Sequence, residues 1–403
     1  MTNTRTTNHI KHYNFIVTFF LYATLIVDLY RKFIGVNVGI VRNVIYILCF
    51  GMILWDAIKT NRFVHMLMVF IVMSLLYYFS SLLYPSLNQV FLSGWLLFVS
   101  RLWPAYYVGR YTEDWNGVSE YVRKYIWIAL VYALFAFTAE LFEFGGGNTT
   151  YSTIAANLFF VTWIAFYDSF HSHKVVSIIV CLFCFLPVLF LGTRAGLFGA
   201  TLALVFYFGR SISKSSGSKK VVSYFLLIIG ALVVVLLFSS LSNYLIDLFP
   251  NSRTLDYLRK GELFEDSNRS DSYYSRMTMS LQENPLKMYG LIGNQIFIAG
   301  ENASMNVILS SFSHNVYLEL CMNFGVIIGG LLSIYFTIML FKAYRKSRWR
   351  SGGSEYVYLG VLGMTFVEMM VSCSWLFHYQ IWLMIGLAFS IIRSRQSKAN
   401  YIY

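Results

Sequence analysis

LSNYLIDLFPNSRTLDYLRKGELFEDSNRSDSYYSRMTMSLQENPLKMYGLIGNQIFIAGENASMNVILSSFSH, Leu241 to His314, is the one long polar stretch in this chain. The other gaps between apolar runs are short turns or brief basic loops. This stretch carries Arg253, Arg259, Lys260, Arg269, Arg276 and Lys287, and it ends on a His-Asn pair that opens the next apolar run. Around it the sequence is lipid-soluble in character: 57% of residues are hydrophobic and 12% charged, with a mean hydropathy of +0.59. No soluble core of this size hides so much apolar surface, so the bilayer is expected to be the solvent. Backbone groups in lipid must be satisfied internally, and runs of roughly 17–25 residues mean helices rather than barrel strands.

The expected fold is therefore an all-α integral membrane protein with about 12 transmembrane helices. The spans fall near 13–30, 36–55, 63–84, 87–109, 126–143, 150–168, 174–192, 195–209, 221–246, 315–341, 355–372 and 374–392. Residues 1–246 would hold helices one to nine, 247–314 a large external loop, and 315–403 helices ten to twelve with a tail. The first run has no small-residue cleavage site after it and is taken as a retained helix. The two halves do not resemble each other, so an inverted-repeat transporter gains no support. Low-complexity sequence is confined to the linker Ser211 to Lys220.

The net charge of +12 does not point to nucleic acid, because the basic residues sit at the ends of membrane segments. With the N-terminus in the cytoplasm, twenty lysines and arginines lie inside, among them Lys59, Arg62, Arg123, Lys124, Arg210, Lys346 and Arg393. Only Arg31, Lys32 and Arg194 occupy short outer loops. That bias makes both termini cytoplasmic and the long segment external. Cys49, Cys181, Cys184, Cys321 and Cys373 all fall in predicted helices. The Cys181-Cys184 pair has no redox or zinc partner in sequence and reads as packing.

Three pieces of sequence carry chemistry. In LGTRAGLFG, Leu191 to Gly199, Arg194 occupies a tight outer turn among small residues. It can snorkel to the interface or bind an anionic headgroup there. In Asn268 to Asn294, Arg269 and Arg276 are seven residues apart and share one face of a helix that Asn284-Pro285 ends. They can be solvated surface charges, or planar guanidinium groups for a diphosphate. In Ser313 to Phe336, His314 stands at the mouth of span ten, followed by glycines at 325, 329 and 330 that permit close helix packing. His314 can anchor or cap the helix, or act as a base. Glu319 lies about 140° around the helix from His314 and could serve as base or orienting group. Arg42, within span two, can face an internal cavity or snorkel outward.

In order and topology these pieces resemble the bacterial O-antigen polymerase and ligase superfamily over about residues 190 to 340. The shared features are a Thr-Arg-Ala turn, an external loop with arginine and Asn-Pro-Leu, and His-Asn-x-Tyr-Leu opening a Gly-rich helix. Members often follow Asn-Pro-Leu with a close Gly-x-Gly, whereas here Gly290 and Gly293 come later and further apart. The resemblance implies a polysaccharide polymerase of the inner membrane that acts on undecaprenyl-pyrophosphate-linked oligosaccharide among membrane lipids. A chain-length regulator is a further partner in such systems, and no nucleic acid is involved. It carries over Arg194, Arg269 and Arg276 as diphosphate ligands and His314 as general base, with Glu319 and Arg42 as further candidates. The external stretch has no DxD or His/Cys/Asp cluster with metal spacing. Metal-independent chemistry without a cofactor is thus expected, with arginines stabilising the leaving diphosphate. A ligase that transfers the glycan to lipid A-core uses the same donor. A lipid-linked oligosaccharide flippase is the alternative from another class, expected to carry charges along a central cavity rather than on one large external loop.

Overall fold

The computed structural model describes residues 2–34, 39–141, 151–190, 194–213, 269–311, 315–347, 352–371 and 374–394, with isolated helical positions at 221–222, 225, 229 and 244. All regular structure among them is helical. In chain order the elements are α1 (Thr2–Ile34), α2 (Gly39–Lys59), α3 (Phe63–Leu83), α4 (Asn88–Leu97), a π-turn (Phe98–Leu102), α5 (Trp103–Tyr111), α6 (Trp115–Lys124), α7 (Ile126–Leu141) and α8 (Tyr151–His171). There follow α9 (Val175–Phe190), α10 (Arg194–Ser213), α11 (Arg269–Glu283), α12 (Gly293–Ala299), α13 (Met305–Ser310), α14 (Val316–Ser347), α15 (Gly353–Val371) and α16 (Tyr379–Arg393). Eleven of the twelve apolar runs coincide with helices in this order. Span 221–246 falls almost wholly outside the described residues.

Among the described residues, three helices are long and apolar enough to cross a membrane: α1 over Ile10–Val27, α3, and α14. Along α3, Val64, Met68, Val72, Phe79 and Leu82 are all more than half exposed. An unpartnered apolar stripe of this size is what a lipid-facing helix presents.

The bundle interior is closed by small residues. A Cβ at Gly109 of α5 would collide with the α16 backbone at Leu383 and Leu387, and one at Gly386 with the α5 backbone at Tyr106 and Arg110. Gly363 of α15 meets Ala203 of α10 in the same way. Without a water-driven force between helices in lipid, such close backbone approach is a main source of association.

Polar and basic groups collect at one end. Arg62 pairs with Glu113 and donates to the Tyr111 carbonyl, while the Arg123 guanidinium pairs with Asp168. Lys346 donates to the Ile392 carbonyl, and Tyr107 donates to Asp56 at 2.7 Å. Residues 110–125, expected as a basic loop, contain α6. Asp114 caps it by accepting the Gly117 N–H at 2.9 Å, and Trp115, Val118, Ser119 and Val122 form its buried stripe. This end matches the segments that the charge bias assigns to one side.

Candidate functional site

The expected single span at 315–341 is corrected by the structure. At Gly325 the backbone takes φ 75° and ψ 162°, a region only glycine enters readily. The two arms of α14 then fold back on each other. Thr337 donates to the Tyr317 hydroxyl at 3.4 Å, although twenty residues of unbroken helix would separate them by about 30 Å. Gly329 faces the backbone of Leu320 and Cys321 so closely that any side chain would collide. Its close contact is thus with the chain's own preceding arm, while Gly330 faces open space. The long arm, 326–347, still reaches about 33 Å at 1.5 Å per residue and can span alone. The short arm, 316–324, is a re-entrant helix beside it.

Breaking a helix leaves backbone groups without partners. Here the stretch between α11 and α12 supplies them. Tyr289 N–H donates to the Met322 carbonyl at 3.0 Å, Gly290 N–H to that of Asn323 at 3.1 Å, and Val326 N–H to that of Pro285 at 2.8 Å. The Asn284-Pro285-Leu286 segment, having ended α11 at Glu283, is stitched to the hinge at Gly325. From there the chain does not remain a solvated loop. Leu291, Ile292, Gly293, Asn294, Gln295 and Ile296 are all buried, and Leu291 N–H donates to Ser80 of α3 at 2.8 Å. Gly290 (φ 72°) and Ile292 (φ 65°) hold left-handed conformations. For a β-branched residue that strain is about 1–3 kcal/mol, sustained only where the surroundings over-determine it. Here the Ile292 side chain packs against Gly94 of α4, where any larger residue would collide with it.

The inserted stretch, the short arm and the turn before α16 meet around Glu319. Its carboxylate is wholly buried and accepts from Ser374 Oγ at 2.6 Å, Trp375 N–H at 3.1 Å and Gln295 Nε2 at 3.2 Å. Asn323, with its amide oriented by the surrounding network, donates to the Gly290 carbonyl at 3.0 Å and to Asn294 Oδ1 at 3.2 Å, and accepts from Trp375 Nε1 at 3.2 Å. Ser374 N–H donates to His378 Nδ1 at 3.0 Å. Three segments distant in sequence are thereby fixed to one another. With three donors already on it, Glu319 is suited to orienting these segments rather than to removing a proton. The 374–378 turn was not a candidate on sequence, although Ser-Trp-x-x-His between two apolar runs is the signal that marks it.

The arginine-bearing helix lies directly on this assembly. Met277 and Leu281 of α11 are buried against Tyr289 and Met322, which leaves Arg276 exposed. Arg269 is the first residue of the same helix, and Arg194 is the first residue of α10 rather than part of a turn. Arg42 lies in α2. For Arg42, Arg194 and Arg269 the described part is the helical backbone, and His314 lies outside the described residues. Its neighbour is informative: Asn315 Oδ1 accepts the N–H groups of Tyr317 and Leu318, both at 3.0 Å. The cap of the re-entrant helix is Asn315, so His314 is not needed for that task.

A groove of 480 Å³ opens beside the assembly, lined by Leu83, Tyr84, Lys287, Tyr289, Phe297 and Glu301. Its lining sets the Tyr84, Tyr289 and Phe297 rings beside one basic and one acidic side chain. Comparisons with protein-family profiles, curated proteins and solved structures return no match.

Proposed function

We propose that this chain is a membrane-embedded glycan polymerase that joins oligosaccharide repeat units carried on undecaprenyl pyrophosphate. The carrying observation is the insertion of the external stretch: 285–296 is stitched to the Gly325 hinge and the Glu319 network, with the helix of Arg269 and Arg276 packed on top. A lipid diphosphate donor needs its leaving group stabilised near the membrane surface, and arginines preorganised on a packed helix supply that charge. His314 immediately precedes Asn315, the cap of the re-entrant helix, in sequence and takes the acceptor hydroxyl proton in this mechanism. The sugar-sized groove beside Tyr84 and Tyr289 offers a path for the growing glycan. The protein sits in the bacterial inner membrane with about twelve spans, its basic end and both termini in the cytoplasm. A ligase would share the donor half of this mechanism and differ in requiring lipid A-core as acceptor.

Orientation is checked by thiol labelling of intact cells. Single cysteines at Gly261 and Glu301 are expected to react with a membrane-impermeant reagent, and one at Ser216 is not. Reaction at Ser216 would invert the assignment.

The function is checked by polymer length in cells that carry Arg194→Ala, Arg269→Ala and the double variant. Each loses charge-assisted contacts to the diphosphate, worth about 1.5–3 kcal/mol per hydrogen bond. Polymer is expected to be sharply reduced or absent at normal protein level. Lysine restores it only in part, because it cannot bind bidentately. Wild-type polymer from the double alanine variant would remove arginine from the mechanism.

A further inference from the structure

Arg101 lies in the middle of an apolar run, on the π-turn between α4 and α5. The cause of that turn is local. Pro104 has no N–H to give the Ser100 carbonyl, and Trp103 N–H bonds instead to Phe98, five residues back. Such single π-turns are frequent at functional positions. This one points a half-buried guanidinium between two tyrosine rings, 5.0 Å from the Tyr46 centroid and 5.5 Å from that of Tyr379. Among the described residues no carboxylate or carbonyl accepts a hydrogen bond from it. Glu368 of α15 is buried but makes no described ion pair with Arg101. The surroundings are polar and incompletely paired. Tyr379 and Gln380 both donate to Asn157 Oδ1, at 2.6 and 2.9 Å, while Asn157 Nδ2 and Gln380 Oε1 are buried with no partner.

A charge at such depth is costly unless something compensates it. Two ring faces compensate in part, but five N–H donors remain. Tyr46 is followed on α2 by Ile47 and Leu48, exposed 63% and 54%, so an alkyl chain can lie against α2 while its head turns inward.

We propose that Arg101, clamped by Tyr46 and Tyr379, is a second anion site that binds the phosphate-bearing headgroup of a polyprenyl lipid inside the bundle. Its ligand identity rests on the function proposed above; its existence as an anion site does not.

The test uses the full chain in nanodiscs of zwitterionic lipid, with Arg194, Arg269 and Arg276 replaced by alanine in every protein compared for binding, so that wild type and variant differ at Arg101 alone, and with three probes: a polyprenyl diphosphate, the corresponding polyprenol, and inorganic pyrophosphate. Bound ligand is measured by native mass spectrometry and by competition. Wild type is expected to retain the diphosphate lipid, to ignore the polyprenol, and to bind pyrophosphate more weakly. Arg101→Met, which fills the same space without charge, is expected to lose at least tenfold in affinity, and Arg101→Lys less. Tyr379→Phe keeps the ring and retains binding. Equal affinity in wild type and Arg101→Met would overturn the site, and should the methionine variant not fold, equal affinity in Arg101→Lys and Arg101→Gln would do so. Pyrophosphate binding as tightly as the lipid would overturn the lipid assignment. The unsubstituted chain binding the diphosphate lipid but forming no polymer would instead defeat the proposed function and leave this site standing.

Discussion

His314→Ala is expected to lower the chain-elongation rate by about 10²–10⁴-fold, the usual contribution of a positioned base, while the protein remains folded. The second half of that expectation comes from the structure. Asn315 already satisfies the first free N–H groups of the re-entrant helix, so removing its neighbour deletes no cap. A base must be neutral to accept a proton, and an ordinary imidazole has a pKa near ~6.5. Wild-type elongation is therefore expected to fall as pH drops through that value and to hold above it. Rates for the Ala, Gln and Asn variants at matched expression decide the matter. Near-normal elongation by His314→Gln would end the general-base assignment, because glutamine keeps polarity without a titratable base.

Glu319→Ala carries the second large effect, and it differs in kind. Deleting the carboxylate leaves Ser374, Trp375 and Gln295 donors buried without an acceptor, each at about 1–3 kcal/mol. The variant is expected to melt earlier and to lose polymerisation, because the inserted stretch and the 374–378 turn are no longer held to the short arm. Glu319→Gln keeps one acceptor oxygen but turns an amide donor toward a donor, so it is expected to lie between. Gln295→Ala leaves the acceptor in place and should be milder. The acid limb of the pH profile separates positioning from proton transfer: it persists in Glu319→Gln if His314 is the base, and it disappears if Glu319 is. Unchanged melting and unchanged activity in Glu319→Ala would contradict the role given to this network.

Most helices were legible because apolar runs mark them directly. The run at 63–84 and the helix Phe63–Leu83 differ by one residue. The hinge at Gly325 was not legible, since an unbroken apolar and glycine run, Phe324 to Leu332, passes straight through it. Glycine is tolerated within helices, and only the hydrogen bonds from 285–290 show that this one ends an arm. The insertion of 285–296 was equally hidden: its apolar residues follow neither a helical nor a strand period and are interrupted by Gly290 and Gly293. α6 could have been found, because Trp115, Val118 and Val122 after Asp114 follow the spacing of a capped amphipathic helix. Arg101 carries no topological signal, because it sits within an apolar run and the charge bias that sets orientation resides at the ends of spans. Of Arg194, Arg269, Arg276 and His314, Arg276 is described with its side chain. What the structure adds is the frame beneath it, the packed pair of α11 and the re-entrant arm.

The measurement closest to the central claim is elongation by purified protein in liposomes supplied with one lipid-linked repeat unit and nothing else. A ladder of lengthened, lipid-linked glycan is expected, lost in Arg269→Ala and His314→Ala. Product that forms only when lipid A-core is added, or no transfer at all from wild type that still binds the donor, would contradict it.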